Sequence, residues 1–162
     1  MLREITPLRA ALAILIIAFA TITGAWIFEA FGYLPCELCL KQRWAYYAGV
    51  PLAALVTLVG ARDCNLARPG LRLLSLLFLG SAMFGVYHAG VEWGFWPGPT
   101  GCTGAMSSAK SVDDFLSQLQ TTQVVQCDKV AIRIIGLSLA GWNAVISAAL
   151  SALALIGARA KA

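Results

Sequence analysis

Cys36 and Cys39, in the run Pro35-Cys36-Glu37-Leu38-Cys39, are separated by two residues in a short polar gap between two long apolar stretches. That spacing allows a reducible disulfide or a thiol of lowered pKa, and the thiolate is the species that attacks another disulfide. A second pair, Cys102 and Cys127, falls in the only other long polar stretch on the same side. Cys39 lies just ahead of an expected helix start, where backbone N–H groups and the positive end of the helix dipole favour an anionic sulfur. The thiolate is therefore expected on Cys39. Arg43 follows four residues later, on the same face if the helix begins that early. A permanent cation there can hold the sulfur anionic or pair with the oxygen of a bound electron acceptor.

Other chemistries use the same residue types. Four cysteines can hold zinc, and C-x-x-C is half of such a site. The second half would be Cys102 and Cys127, with twenty-four residues between them, far from the usual short spacing. Two inert disulfides are a further alternative, but a C-x-x-C bridge closes so small a loop that its entropic gain is least. His88, the single histidine, sits beside Tyr87 at the outer end of the third apolar stretch. It reads as a packed or interfacial residue, or as a participant at the site. Glu92 reads as a solvated loop charge and Cys64 as a reduced bystander.

The elements that must position these residues follow from charge spacing. Hydrophobic residues make up 59% of the 162, charged residues 12%, and the mean hydropathy is +0.76. Soluble domains carry about 25% charged residues. Nineteen uncharged residues separate Arg9 from Glu29, eighteen Arg43 from Arg62, nineteen Arg72 from Glu92 and twenty-five Arg133 from Arg159. A helix needs roughly 20 apolar residues to cross the hydrocarbon. The expectation is an all-α membrane protein, a four-transmembrane-helix bundle forming one integral domain over residues 1–162. Its spans are 8–30, 44–60, 71–91 and 132–157, with outer loops over 31–43 and 92–131. The first run is longer than the apolar core of a cleaved signal peptide, about 7–15 residues, and Trp26, Phe28 and Phe31 resemble an interfacial anchor.

Within these limits Trp44, Tyr46 and Tyr47 mark the headgroup level, and Pro51 interrupts the second span. In the second loop Ser111 and Asp114 fit a capping pattern. Val112, Phe115, Leu116 and Leu119 then recur at helical spacing, as in a short amphipathic helix lying on the outer leaflet. Gly136, Ala140, Ala144, Ala148 and Ala152 repeat every four residues, the pattern of a close helix–helix seam.

Even span number puts both termini on one side. The charges of that side sum to +5 and those of the other to −1. Lys and Arg mark the cytoplasmic side, so the termini are expected there. Four of the five cysteines then fall outside, where disulfides persist.

The run Pro35-Cys36-Glu37-Leu38-Cys39-Leu40-Lys41-Gln42-Arg43 between the first two spans, with a loop cysteine pair between the last two, resembles the disulfide bond formation protein B (DsbB) family over the whole chain. The resemblance implies a quinone-dependent thiol oxidase of the bacterial inner membrane, with its redox loops periplasmic. Such a protein reoxidises a DsbA-like thioredoxin-fold partner and passes the electrons to quinone, with ubiquinone favoured over menaquinone. Carried over by motif position, Cys102 meets the partner's thiol and pairs with Cys127, and exchange with Cys36 relays the electrons inward. Cys39 faces the quinone, with Arg43 assisting its binding and His88 near it. A specialised variant with one dedicated partner, a vitamin K epoxide reductase-like quinone enzyme and a non-catalytic scaffold are the alternatives. The vitamin K epoxide reductase order of cysteine pairs is the reverse of the one here.

Overall fold

The computed structural model describes residues 5–99, 111 and 126–160. Four helices are long and apolar enough to cross a membrane: α1 (Pro7–Ala30), α2 (Glu37–Arg62), α3 (Cys64–Glu92) and α4 (Leu139–Arg159). Strands β1 (Arg133–Ile134) and β2 (Leu137–Ser138) form a small antiparallel hairpin just before α4. The protein is thus an all-α multi-pass membrane protein, as its charge spacing implies. The expected loop helix over Val112–Leu119 and the position of Cys102 lie outside the described residues.

Each helix begins at a side chain that accepts an otherwise orphaned backbone N–H. Thr6 accepts from Arg9, and Pro7 occupies the first turn of α1. Asp63 alone separates α2 from α3; it ends the first and caps the second through Asn65. Ser138 caps α4 by accepting from Gly141. The α2 cap is Cys36, whose sulfur accepts from the Cys39 N–H. A cysteine is an unusual cap, which is why sequence spacing starts the second span at Trp44 while the helix starts at Glu37. Leu38, Gln42, Tyr46, Gly49, Ala53, Val56 and Gly60 form its buried stripe. The third helix likewise begins at Cys64, seven residues before the expected span start.

The fourth span departs most from expectation. Instead of helix from residue 132, the chain turns through Ile135 (φ 52°) and Gly136 (φ 81°) between β1 and β2. Two successive positive φ values are the geometry of a tight two-residue hairpin turn. Glycine suits it, whereas a β-branched residue there is rare, and Ile135 is 88% exposed. Gly136 therefore belongs to a turn and not to a helix seam, and Ala148 and Ala152 face outward. The inward face of α4 is rotated to carry Asn143, Ser147 and Ser151, because buried hydroxyls and amides in lipid need protein partners. Ser147 meets Ser81 at 3.0 Å and Ser151 meets Ser75 at 3.2 Å. Close approach is still made by small residues: a Cβ on Gly85 would lie 2.9 Å from the Ala144 backbone.

Ile14, Ala18, Leu71, Leu74, Phe78, Leu150 and Ala154 fill the bundle core, while Phe19, Leu58, Leu76 and Met83 point outward, as the lipid face of a span does. Gly157 of α4 packs on Ala10 of α1, and Arg68 donates to the Ala160 carbonyl. The start of α1 and the end of α4 therefore share one end of the bundle. Cys36 and Cys39 occupy the opposite end, together with the last turn of α3 and the hairpin.

Candidate thiol redox site

The early start of α2 decides the geometry of the sulfurs. Cys36 and Cys39 Sγ lie 2.6 Å apart, and both are free cysteines. They can join and separate with little backbone movement. Because Cys36 is the cap, it receives the helix-terminal N–H of Cys39 at 3.2 Å, and the thiolate position passes to it from Cys39, where sequence spacing put it. Its thiol is lowered to about 5. The largest cause is the hydrogen bond from the Cys39 thiol; burial opposes it, and the His88 ring lowers it further by hydrogen bonding and charge.

His88 Nε2 stands 3.6 Å from Cys36 Sγ. The ring is 1% exposed, deeper than an interfacial histidine. Nε2 is also 4.0 Å from Glu92 Oε1, one helical turn on along α3. Glu92 is not a solvated loop charge: its side chain is 7% exposed in the last turn of α3, near the Ser138 side chain. The sulfurs of Cys36 and Cys39 and the His88 nitrogen lie within 4.8 Å of one another.

Arg43 shares the Cys39 face of α2. Its Nη1 donates to Glu29 Oε2 at 2.5 Å and its Nη2 to the Ala25 carbonyl at 3.5 Å, joining α2 to α1. Both Cys39 and Arg43 line a cavity of about 310 Å³ between α1, α2 and α4, whose walls include Ala25, Phe28, Ala140 and Trp142. The hairpin contributes Ile134 to this wall, held by a 2.9 Å hydrogen bond from the Trp142 indole to its carbonyl. Gln42 and Asn143 also line it. His88 is not among the lining residues; it faces Cys36.

A second, narrow cleft of about 30 Å³ lies on the other side of Cys39. Cys36, Cys39, Glu92, Gln126, Lys129 and Leu139 border it. Cys127 is disulfide-bonded, and it packs in one buried cluster with Cys36, Leu38 and Val91, against Cys39, Phe84 and Tyr87. The structure thus brings together Cys36, Cys39, Cys127 and His88, and puts Arg43 on the cavity beside Cys39. Cys102 lies outside the described residues. Cys64 is at the far end of the bundle, against the Gly60 carbonyl.

Several site residues escape sequence reasoning. Tyr46, assigned to the headgroup level, is instead buried, donating to Asn143 Oδ1 at 2.8 Å and meeting Ser147 Oγ at 3.0 Å. Asn143 is the lone amide in the fourth apolar run, and a polar group at that depth was the available signal. Glu29 carried a comparable one, as the acid that ends the first run. Their partners lie on other helices, which spacing along one helix does not reveal.

No solved structure matches this chain. An uncharacterized protein of Rickettsia prowazekii is 24% identical over 139 residues, covering 84% of this chain and 78% of its own length. A disulfide bond formation protein B of Albidiferax ferrireducens is 30% identical over 129 residues, covering 76% of this chain and 70% of its own. The profile of the disulfide bond formation protein DsbB family matches residues 7–157, which takes in all four helices, the C-x-x-C cap of α2 and Cys127. With a reducible sulfur pair set at the end of a four-helix membrane bundle, the chain belongs to the DsbB family of membrane oxidoreductases that act in disulfide bond formation.

Proposed function

We propose that the protein is a thiol oxidase of the bacterial inner membrane that reoxidises a DsbA-like periplasmic partner and delivers the electrons to quinone. The observation that carries this reading is the position of Cys39, which touches Cys36 on one side and lines the membrane cavity on the other. A volume of about 310 Å³ lies within the range of small-molecule sites, roughly 300–1,000 Å³. Its mostly apolar walls fit the head of a lipid-soluble quinone, with Cys39 and Arg43 at its edge. A bound quinone takes up two electrons and two protons, which a dithiol closing to a disulfide releases.

The partner's dithiol reduces the Cys102–Cys127 disulfide and leaves oxidised. The loop dithiol then attacks the Cys36–Cys39 disulfide at Cys36, restoring its own bridge and leaving both inner cysteines reduced. The shared burial of Cys127 and Cys36 supports this order of exchange. Cys36, a thiolate near neutral pH, is poised to close again on Cys39 as the electron pair leaves toward the cavity. His88 accepts or returns the Cys36 proton, and Glu92 orients the ring. The net positive charge at the end bearing both termini supports a cytoplasmic placement for that end and a periplasmic one for the cysteines.

The test uses the purified protein in detergent, a reduced DsbA-like partner and a short-chain ubiquinone. Quinone absorbance should fall in step with partner oxidation. Cys36→Ser and Cys39→Ser should each abolish turnover, since no dithiol remains beside the acceptor. Near wild-type turnover in either variant would remove this pair from the reaction.

A further inference from the structure

Two side-chain amides stand in the wall of the membrane cavity with donors that nothing among the described residues uses. Gln42 on α2 is 7% exposed and Asn143 on α4 is 8% exposed. Both line the cavity, and Gln42 Nε2 and Asn143 Nδ2 are buried without a hydrogen-bond partner. Buried polar groups are nearly always paired, and an unpaired one in lipid-like surroundings calls for an explanation. Asn143 is moreover held in orientation: its Oδ1 accepts from Tyr46 at 2.8 Å and from Ser147 at 3.4 Å. The acceptor side of this amide is engaged by the protein and the donor side is not.

The cation at the same cavity is differently placed. The two terminal nitrogens of Arg43 already donate to Glu29 and to the Ala25 carbonyl. Among the described residues lining this cavity, the buried donor nitrogens left with no partner at all are those of the two amides, one on α2 and one on α4. A ligand that satisfies both needs two hydrogen-bond acceptors, on a body apolar enough for walls formed by Ile22, Phe28, Leu139 and Ile146. A para-quinone ring, with a carbonyl oxygen at each end, has that pattern.

Resting on the quinone reading above, we propose that Gln42 and Asn143 are the hydrogen-bond donors that recognise the quinone carbonyls, with Tyr46 and Ser147 as positioning residues that aim the Asn143 amide. No electron or proton passes through either amide; their task is binding and orientation. An acceptor with one carbonyl removed leaves one amide unpaired again and binds less well.

The experiment measures affinity directly. Quenching of tryptophan fluorescence by a short-chain ubiquinone gives a Kd for the detergent-solubilised protein, Trp142 lying in the cavity wall. Gln42→Met keeps length and apolar bulk while deleting the donor; Asn143→Leu does the same on α4. Each substitution should raise Kd roughly three- to tenfold, the loss expected for one hydrogen bond, and the double variant should raise it further. The quinone KM should rise in parallel while kcat at saturating quinone and disulfide exchange with the partner stay near wild type. Tyr46→Phe should raise Kd less than Asn143→Leu. If Asn143→Leu does not fold, Gln42→Met decides alone. Wild-type Kd in folded Gln42→Met, or in both variants, overturns the assignment of the amides and leaves the thiol-oxidase reading standing. Absence of quinone binding by the wild-type protein would instead overturn that reading, and this inference with it.

Discussion

The Arg43 guanidinium on α2 donates to the Glu29 carboxylate in the last turn of α1 at 2.5 Å, tying together two walls of the membrane cavity. Arg43 is thus fixed from one side before any acceptor arrives. Lysine keeps the charge but not the planar fork that reaches Glu29 and the Ala25 carbonyl together. We expect Arg43→Ala to raise the quinone KM about tenfold, equivalent to about 1.4 kcal/mol, and Arg43→Lys to raise it by less. Glu29→Gln should reproduce part of the Arg43→Ala effect. Steady-state kinetics with varied quinone checks this, and an unchanged KM in all three variants would reduce the pair to a helix tie.

The Cys36 thiol should titrate far below an ordinary cysteine. Its pKa is lowered to about 5, so the thiolate is present above that pH and is lost as pH falls through it. Alkylation of Cys36 in the reduced protein, followed by peptide mass spectrometry, should be nearly pH-independent between about 6.5 and 8, where a free thiol of pKa near 8.5 accelerates steeply. His88→Ala should move the midpoint upward, since the ring lowers it. A wild-type midpoint near 8 would contradict the cap geometry.

Cys127 lies in the same buried cluster as Cys36, placed as the thiol that would resolve a mixed disulfide formed at Cys102. Replacing Cys127 by serine should therefore trap a covalent complex between Cys102 and the soluble partner. Non-reducing gels should show a band of summed mass that disappears with reductant. Trapping by Cys102→Ser, but not by Cys127→Ser, would reverse the order of the relay.

The contact of α3 with α4 depends on Gly85. A Cβ there meets Ala144 backbone at 2.9 Å, whereas one on Gly80 of the same helix meets nothing within 4 Å. Gly85→Ala should destabilise the protein by about 1–3 kcal/mol through overpacking. Gly80→Ala should be neutral or stabilising, as alanine favours the helix by about 1 kcal/mol. Thermal unfolding in detergent compares them, and equal melting temperatures would mean that the helices can part without cost.

Charge spacing made the four helices and the slot of the C-x-x-C pair legible, because lipid demands long uncharged runs and the runs leave few gaps. Arg43 was legible beside Cys39 for a similarly local reason, four residues along one helix. What sequence did not reveal depends on contacts between distant residues. Cys36 rather than Cys39 takes the cap, which only the true helix start decides. The buried face of α4 is chosen by Tyr46, Ser75 and Ser81 on other helices, not by the alanine repeat within it. Glu92 looks unremarkable along the chain, and both it and the single histidine, His88, acquire their place from the sulfur that α2 sets against them.

Cys39 is at once a wall of the membrane cavity and a wall of the narrow cleft beside the Cys127 loop. One side chain therefore serves as a bulkhead between two compartments. In the proposed cycle, a reductant dissolved in water is served through Cys36 and an acceptor dissolved in lipid through Cys39, and the two never meet. Small thiols in the surrounding medium are then denied a short circuit to the membrane's oxidising pool, and only a chain able to work the outer disulfide can draw on it.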